Sequence, residues 1–191
     1  MSEKYKFIGD AAYDNLISGV YPAPLVKEVE LATAGGSDVT LKRGTVLNKG
    51  ADGTYSVAGS AKINATDLEG DGSTKEFSVV ASEPLSHLAV VKVAGTAIDT
   101  YAFYPETQKI VFDTAPADDA AITISGYTGT CDCILCEDVL LPASGTSVFC
   151  GAYTSGCFDP NFCIVSDGYA LTDKDFDELR ALGIFFEEAL K

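Results

Sequence analysis

The chain has 191 residues, 47% of them apolar and 10% aromatic, which is the composition of a globular protein with room for one domain or two modest ones. Thirteen basic residues stand against 28 acidic ones, giving a net charge of −15, and a surface of that sign repels nucleic acid. The excess is uneven: residues 1–61 hold 6 basic and 7 acidic side chains, residues 62–127 hold 4 and 10, and residues 128–191 hold 3 and 11.

The chain opens on MSEKYKF, with no apolar run and no small-residue cleavage site, and no apolar stretch approaches the ~20 residues of a membrane span. The expectation is synthesis in the cytosol. Residues 1–24 show no clean period and are broken by Gly9, Gly19, Pro22 and Pro24. They read as an extended arm whose apolar anchors are Phe7, Ile8, Leu16, Ile17 and Tyr21. The arm has no obvious core of its own, and the nearly neutral first third of the chain, residues 1–61, is the part best suited to an acidic partner surface. Partial alternation predicts strands over 25–32, 39–47 and 54–57, with a bend at Arg43 and Gly44 and turns at 34–37 and 49–53.

The texture changes at residue 62. Short apolar runs at 76–81, 88–93, 98–104, 109–113 and 121–125 alternate with Gly, Pro and Asp turns, which predicts a small sandwich over 62–128. After Gly129 the first texture resumes, with strands predicted over 131–139, 146–153 and 161–165 and a loop at 156–160. Thr172 is suited to cap a helix whose first turn carries Asp173 and Asp175. Phe176, Leu179 and Leu182 would form its buried stripe, and Gly183 would end it before a last strand at 184–186.

Six cysteines fall between residues 131 and 163. Cys133 and Cys136 form a C-x-x-C, but zinc sites use two such pairs in tight turns, and no secretion signal argues for disulfides. Small buried thiols in strands are the preferred reading. The single histidine, His87, follows Leu85 and Ser86 at the start of a strand; no nucleophile elbow or Walker loop accompanies it, and it reads as a satisfied or surface residue. The acidic turns at 69–72 and 117–119 lack the rest of a calcium loop. These observations predict no enzyme, no cofactor and no metal.

Three segments carry a family resemblance by their order: LKRGTVL at 41–47, ILCEDV at 134–139 and FCGAY at 149–153, followed by the capped helix and closing strand at 171–186. This pattern resembles the head decoration proteins of lambda-like tailed bacteriophages over residues 25–61 and 129–191. Residues 62–128 depart from it and resemble immunoglobulin-like modules of phage structural proteins. The resemblance implies a mainly-β fold with one short C-terminal helix, a β-clip-like decoration domain interrupted by an inserted β-sandwich. It also implies a homotrimer on the outer surface of the virion, made in the host cytoplasm. The arm would contact the major capsid protein and the trimer would reinforce the expanded head. Neither nucleic acid nor membrane is an expected partner. The alternative is a phage adhesin whose inserted domain takes a host-surface ligand.

Overall fold

The computed structural model describes residues 15–33, 36–145 and 147–188. The fold is mainly β, as expected, with seventeen strands and one α-helix among the described residues.

The first strands are β1 (Ile17–Gly19), β2 (Leu25–Leu31), β3 (Val39–Leu41), β4 (Val46–Lys49) and β5 (Tyr55–Val57). Then come β6 (Lys62–Asn64), β7 (Leu68–Glu69), β8 (Glu76–Ser78), β9 (Leu85–Val93), β10 (Thr96–Ile98), β11 (Tyr101–Tyr104), β12 (Lys109–Phe112) and β13 (Ala121–Thr128). The last are β14 (Thr130–Leu135), β15 (Val139–Leu141), β16 (Val148–Phe158) and β17 (Ile184–Phe186), with helix α1 (Asp173–Ala181) before β17.

β16, β14, β4, β5 and β2 pair in that order, and β2 pairs again with β16. The path therefore returns on itself as a five-stranded barrel, closed between β2 and β5 by the single pair of Leu31 with Tyr55. Inside it lie Val29, Leu31, Leu47, Tyr55, Cys133, Leu135, Cys150 and Ala152. β4 and β14 are buried on both faces. Val46, Cys131 and Ile134 look the other way, into a second core with Leu16, Phe158, Tyr169, Leu179 and Ile184. A bulge between Cys131 and Cys133 makes this possible: the extra residue, Asp132, breaks the alternation and lets Cys131 and Ile134 share a face. α1, β1 and β17 cover the second core.

Strands β6 to β13 pair only among themselves among the described residues. They form a five-stranded and a three-stranded sheet around Leu85, Val91, Ile110, Phe112, Ile122 and Ile124. The inserted unit leaves the barrel after β5 and re-enters at β14. Its two ends lie side by side, with Thr128 N–H donating to Ala61 C=O at 3.0 Å.

Several boundaries differ from the expectation. The predicted strand 98–104 is two strands in different sheets, because the chain crosses from β10 to β11 at Asp99 and Thr100. The predicted strand 161–165 is instead a 3-10 turn, Pro160–Phe162, followed by a one-residue bridge at Ile164. Asp159 caps that turn through the Asn161 N–H, and Pro160 has no N–H for a ladder. The predicted loop at 156–160 belongs largely to β16, which runs eleven residues to Phe158. α1 has its Thr172 cap, yet Leu182 is exposed: the helix has ended, and Leu182 is its C-cap.

Candidate functional site

Of the three segments that carry the resemblance, 41–47 is far in sequence from 134–139 and 149–153, and strand pairing brings all three into direct contact. Val46 pairs with Ile134, Leu41 with Val139, and Leu135 with Ala152. Gly44 N–H donates to Leu135 C=O at 2.9 Å and Leu135 N–H donates to Thr45 C=O at 2.8 Å. Gly44 has a φ of 92°, and a Cβ there would sit 2.7 Å from Phe162 C=O, so the tight bend admits only glycine.

Arg43 ties the segments together. Its Nε donates to Cys136 C=O at 3.0 Å, its guanidinium to the Tyr153 hydroxyl at 2.9 Å, and its backbone N–H to Asp138 at 2.9 Å. Lys42 Nζ lies 2.7 Å from the other oxygen of Asp138. These bonds, Lys42's first, hold the Asp138 carboxyl below its ordinary pKa. The predicted strand 131–139 is therefore broken: Glu137 and Asp138 occupy the gap between β14 and β15, where Asp138 fixes the bend. At the barrel's β2 side Lys27 Nζ meets the Tyr55 hydroxyl and Asp132, each at 3.0 Å. Burial opposes the Lys27 charge, but the two hydrogen bonds outweigh it and its pKa rises.

Of the five arm anchors, Phe7 and Ile8 lie outside the described residues. Leu16 and Ile17 correct the expectation of an arm without a core of its own. Leu16 is 4% exposed within the second core, and Ile17 packs against that core while pairing with Phe158. β16 extends beyond the predicted strand and supplies the edge that β1 joins. Tyr21 is different: it is 88% exposed and Val20 94%, with Leu25 and Val26 also exposed. Residues 17–26 contain no charged side chain. The result is an apolar, uncharged strip on a strongly acidic protein, running from β1 into β2.

All six cysteines are free thiols; Cys131, Cys133, Cys150 and Cys157 are buried, Cys136 and Cys163 half-buried. Burial pushes the Cys133 thiol up to about 12 and the Cys150 thiol up to about 11, so both stay protonated as apolar filling. Among the described residues no three His, Cys, Asp or Glu side chains gather as a metal-holding group, and no helix is long and apolar enough to cross a membrane.

His87 corrects its expectation too. It is neither satisfied nor on the open surface: it is half-buried, and its Nε2 is buried without a hydrogen-bond partner. β9 begins at Leu85, so His87 lies inside a strand and faces the junction of the inserted unit with the barrel. Its ring lies 5.2 Å from Tyr127 and 5.1 Å from Tyr169, which are 4.8 Å from each other. Asp175 accepts from the Tyr169 hydroxyl at 2.8 Å, from Thr172 N–H and Oγ1 at 2.7 Å each, and from Cys131 Sγ at 3.4 Å. A residue expected to serve only the helix dipole is therefore also the buried anchor of the junction. The sequence carried a signal for the cap, but none for the aromatic cluster.

Two concavities accompany these features. A cleft of about 910 Å³ separates barrel and inserted unit, between Asn48 and Lys49 on one side and Pro84, Leu85 and Gln108 on the other. A shallower trough of about 450 Å³ lies on the inserted unit's larger sheet, lined by Lys62, Asn64, Lys92, Thr123 and Ser125. No family model matches this chain, and no curated protein or solved structure is significantly similar to it.

Proposed function

We propose that the chain is a structural protein of a phage particle, a head decoration protein that binds the outer capsid surface as a homotrimer and stiffens the expanded head. The observation that carries this reading is the meeting of the three resemblance segments. Residues 46–47, 134–135 and 152–153 pair within the barrel and Leu41 pairs with Val139 in the small β3–β15 sheet beside it, with Arg43 bonded to the second and third segments and Lys42 bonded to the second. The segments lie together in the fold, as their order in the decoration-protein pattern would require of them. In this reading the uncharged strip at Val20, Tyr21, Leu25 and Val26 is the shell-facing surface. An acidic protein meets a shell with least repulsion where it carries no charge.

The test is co-sedimentation with expanded, DNA-free heads of a lambda-like phage, with light scattering for the mass. Saturable binding and a trimer mass are expected. Val20→Ser with Tyr21→Ser should weaken binding while the melting temperature holds, because neither side chain is buried in the free protein. A mass that stays monomeric at every concentration, together with no head binding, would refute the reading.

A second reading, a receptor-binding module, rests on the trough. The side chains of Asn64, Lys92, Thr123 and Ser125 make no hydrogen bond or ion pair among the described residues, so their donors and acceptors face outward unengaged. Binding to a glycan array that is lost with Lys92→Glu would favour it.

A further inference from the structure

The junction between the inserted unit and the barrel contains the only histidine of the chain. On the inserted side are Ser86, His87 and Tyr127. On the barrel side are Tyr169, Lys174 and Asp175, with Lys174 Nζ donating to Ser86 C=O at 2.8 Å. We propose that His87 is an acid-operated latch, whose protonation releases the inserted unit from the barrel.

The hydrogen bonds fix how the neutral imidazole sits. The one hydroxyl proton of Ser86 is donated to Tyr127 C=O at 2.9 Å. The Ser86 oxygen, 3.1 Å from Nδ1, is then left to accept, so Nδ1 carries the ring proton. Nε2 is consequently a bare lone pair in a buried position without a partner. A second proton can enter only there, and it would be buried as an unpaired N–H on a cation.

The charged and titratable groups around the ring do not rescue that cation. On β9 the neighbour is the Ser86 hydroxyl, and on β13 the Tyr127 ring, which Lys62 Nζ of β6 approaches at 6.0 Å from the centroid. The segment before α1 presents the Tyr169 ring. α1 presents Lys174, which repels, and Asp175, which attracts; Glu178 of the same helix pairs with Lys174 at 3.6 Å. β14 contributes the Cys131 thiol, itself directed at Asp175. Asp175 already accepts four hydrogen bonds and has little left to offer an imidazolium. Burial dominates, the Asp175 charge opposes it and Lys174 adds to it, so His87 titrates below the ordinary 6.5.

Opening the junction hydrates the ring and restores the ordinary value. The closed form therefore has its full advantage above pH 6.5 and loses it as pH falls toward the depressed value. Each unit of depression moves the closed-to-open ratio tenfold.

Because the chain has one histidine, its imidazole NMR signals report this site alone. The experiment follows them from pH 8 to 4.5 in the full chain, beside the radius of gyration from small-angle scattering and amide exchange at 59–62 and 127–130. An imidazole midpoint below 6.5 is expected, with expansion and faster stem exchange over the same interval. His87→Phe keeps an aromatic ring without a titratable nitrogen and should stay compact at pH 5; His87→Gln is the second non-titrating variant should the first fail to fold. The proposal is overturned by a midpoint at or above 6.5, by no expansion down to pH 4.5, or by an expansion that persists in the non-titrating variants.

Discussion

Single side chains hold the barrel's bends, and their loss should be measurable. Arg43 satisfies the Cys136 carbonyl and the Tyr153 hydroxyl through one planar group. Arg43→Ala should cost about 1–3 kcal/mol in urea unfolding, since charge-assisted bonds are lost and a partly buried carbonyl is stranded. Arg43→Lys should recover little, because a single ammonium cannot span both acceptors. Gly59 is a sharper case. Its φ is 78°, and a Cβ would lie 2.2 Å from Cγ of the Tyr169 ring, which packs directly on the backbone there. Gly59→Ala should destabilise by more than about 2 kcal/mol, combining left-handed backbone strain with displacement of the ring. Asp175 sets the acid limb. Burial raises its pKa, but the hydrogen bonds from Thr172 and Tyr169 win, and the carboxyl titrates below its ordinary value. Its contribution is present above the unfolded carboxylate pKa of about 3.9 and disappears as pH falls through the lower folded value. Asp175→Asn should lower stability at pH 7 and flatten the stability loss below pH 4, as read from melting temperatures across pH.

At the scale of elements, the sequence was most readable where one rule acted alone. Thr172 with acidic residues behind it announced α1, and its capping box with Asp175 is present. Gly-Asp turns and short alternating runs announced β8, β9, β12 and β13, though not the short β6 and β7, whose Leu68 and Glu69 read as part of a turn. Reading failed where tertiary pairing decided. Residues 98–104 are apolar enough for one strand, but only packing of two sheets shows that the chain changes sheet at Asp99. Ile17 has no local pattern and becomes a strand because β16 offers it an edge. Leu16 looked like a loose anchor because its neighbours in the core, Val46, Phe158 and Ile184, are distant in sequence. This changes what an arm truncation means. Removing residues 1–24 deletes β1 and empties the Leu16 site, so stability should fall by about 2–5 kcal/mol, as for a buried leucine cut to alanine. Leu16→Ala alone should reproduce most of that loss in chemical unfolding. Equal stability with and without Leu16 would mean that the segment does not pack as described.

At the scale of the whole molecule, the question is whether the barrel needs the unit inserted into it. The pairing argues that it does not. Lys62 pairs with Tyr127, Ile63 with Gly126, and Thr128 bonds back to Ala61, so the two ends of the insertion already form a closed ladder. Deleting residues 64–126 and joining the ends with a short Gly/Ser linker asks the chain to close only a hairpin-sized loop. Tyr127 stays in place against Tyr169. What is lost on the barrel side is the cover from His87 and Ala89 and the bond from Lys174 to Ser86, on the order of 2–3 kcal/mol of apolar burial and one hydrogen bond. The inner core of Leu31, Leu47, Cys133, Leu135 and Ala152 draws no residue from the insertion. The deletion variant is therefore expected to unfold in one cooperative transition, at a lower temperature than the full chain and with a smaller denaturant slope, since less surface is exposed. A broad, non-cooperative melt would show that the barrel depends on the inserted unit for its own packing, and that the junction is part of one core.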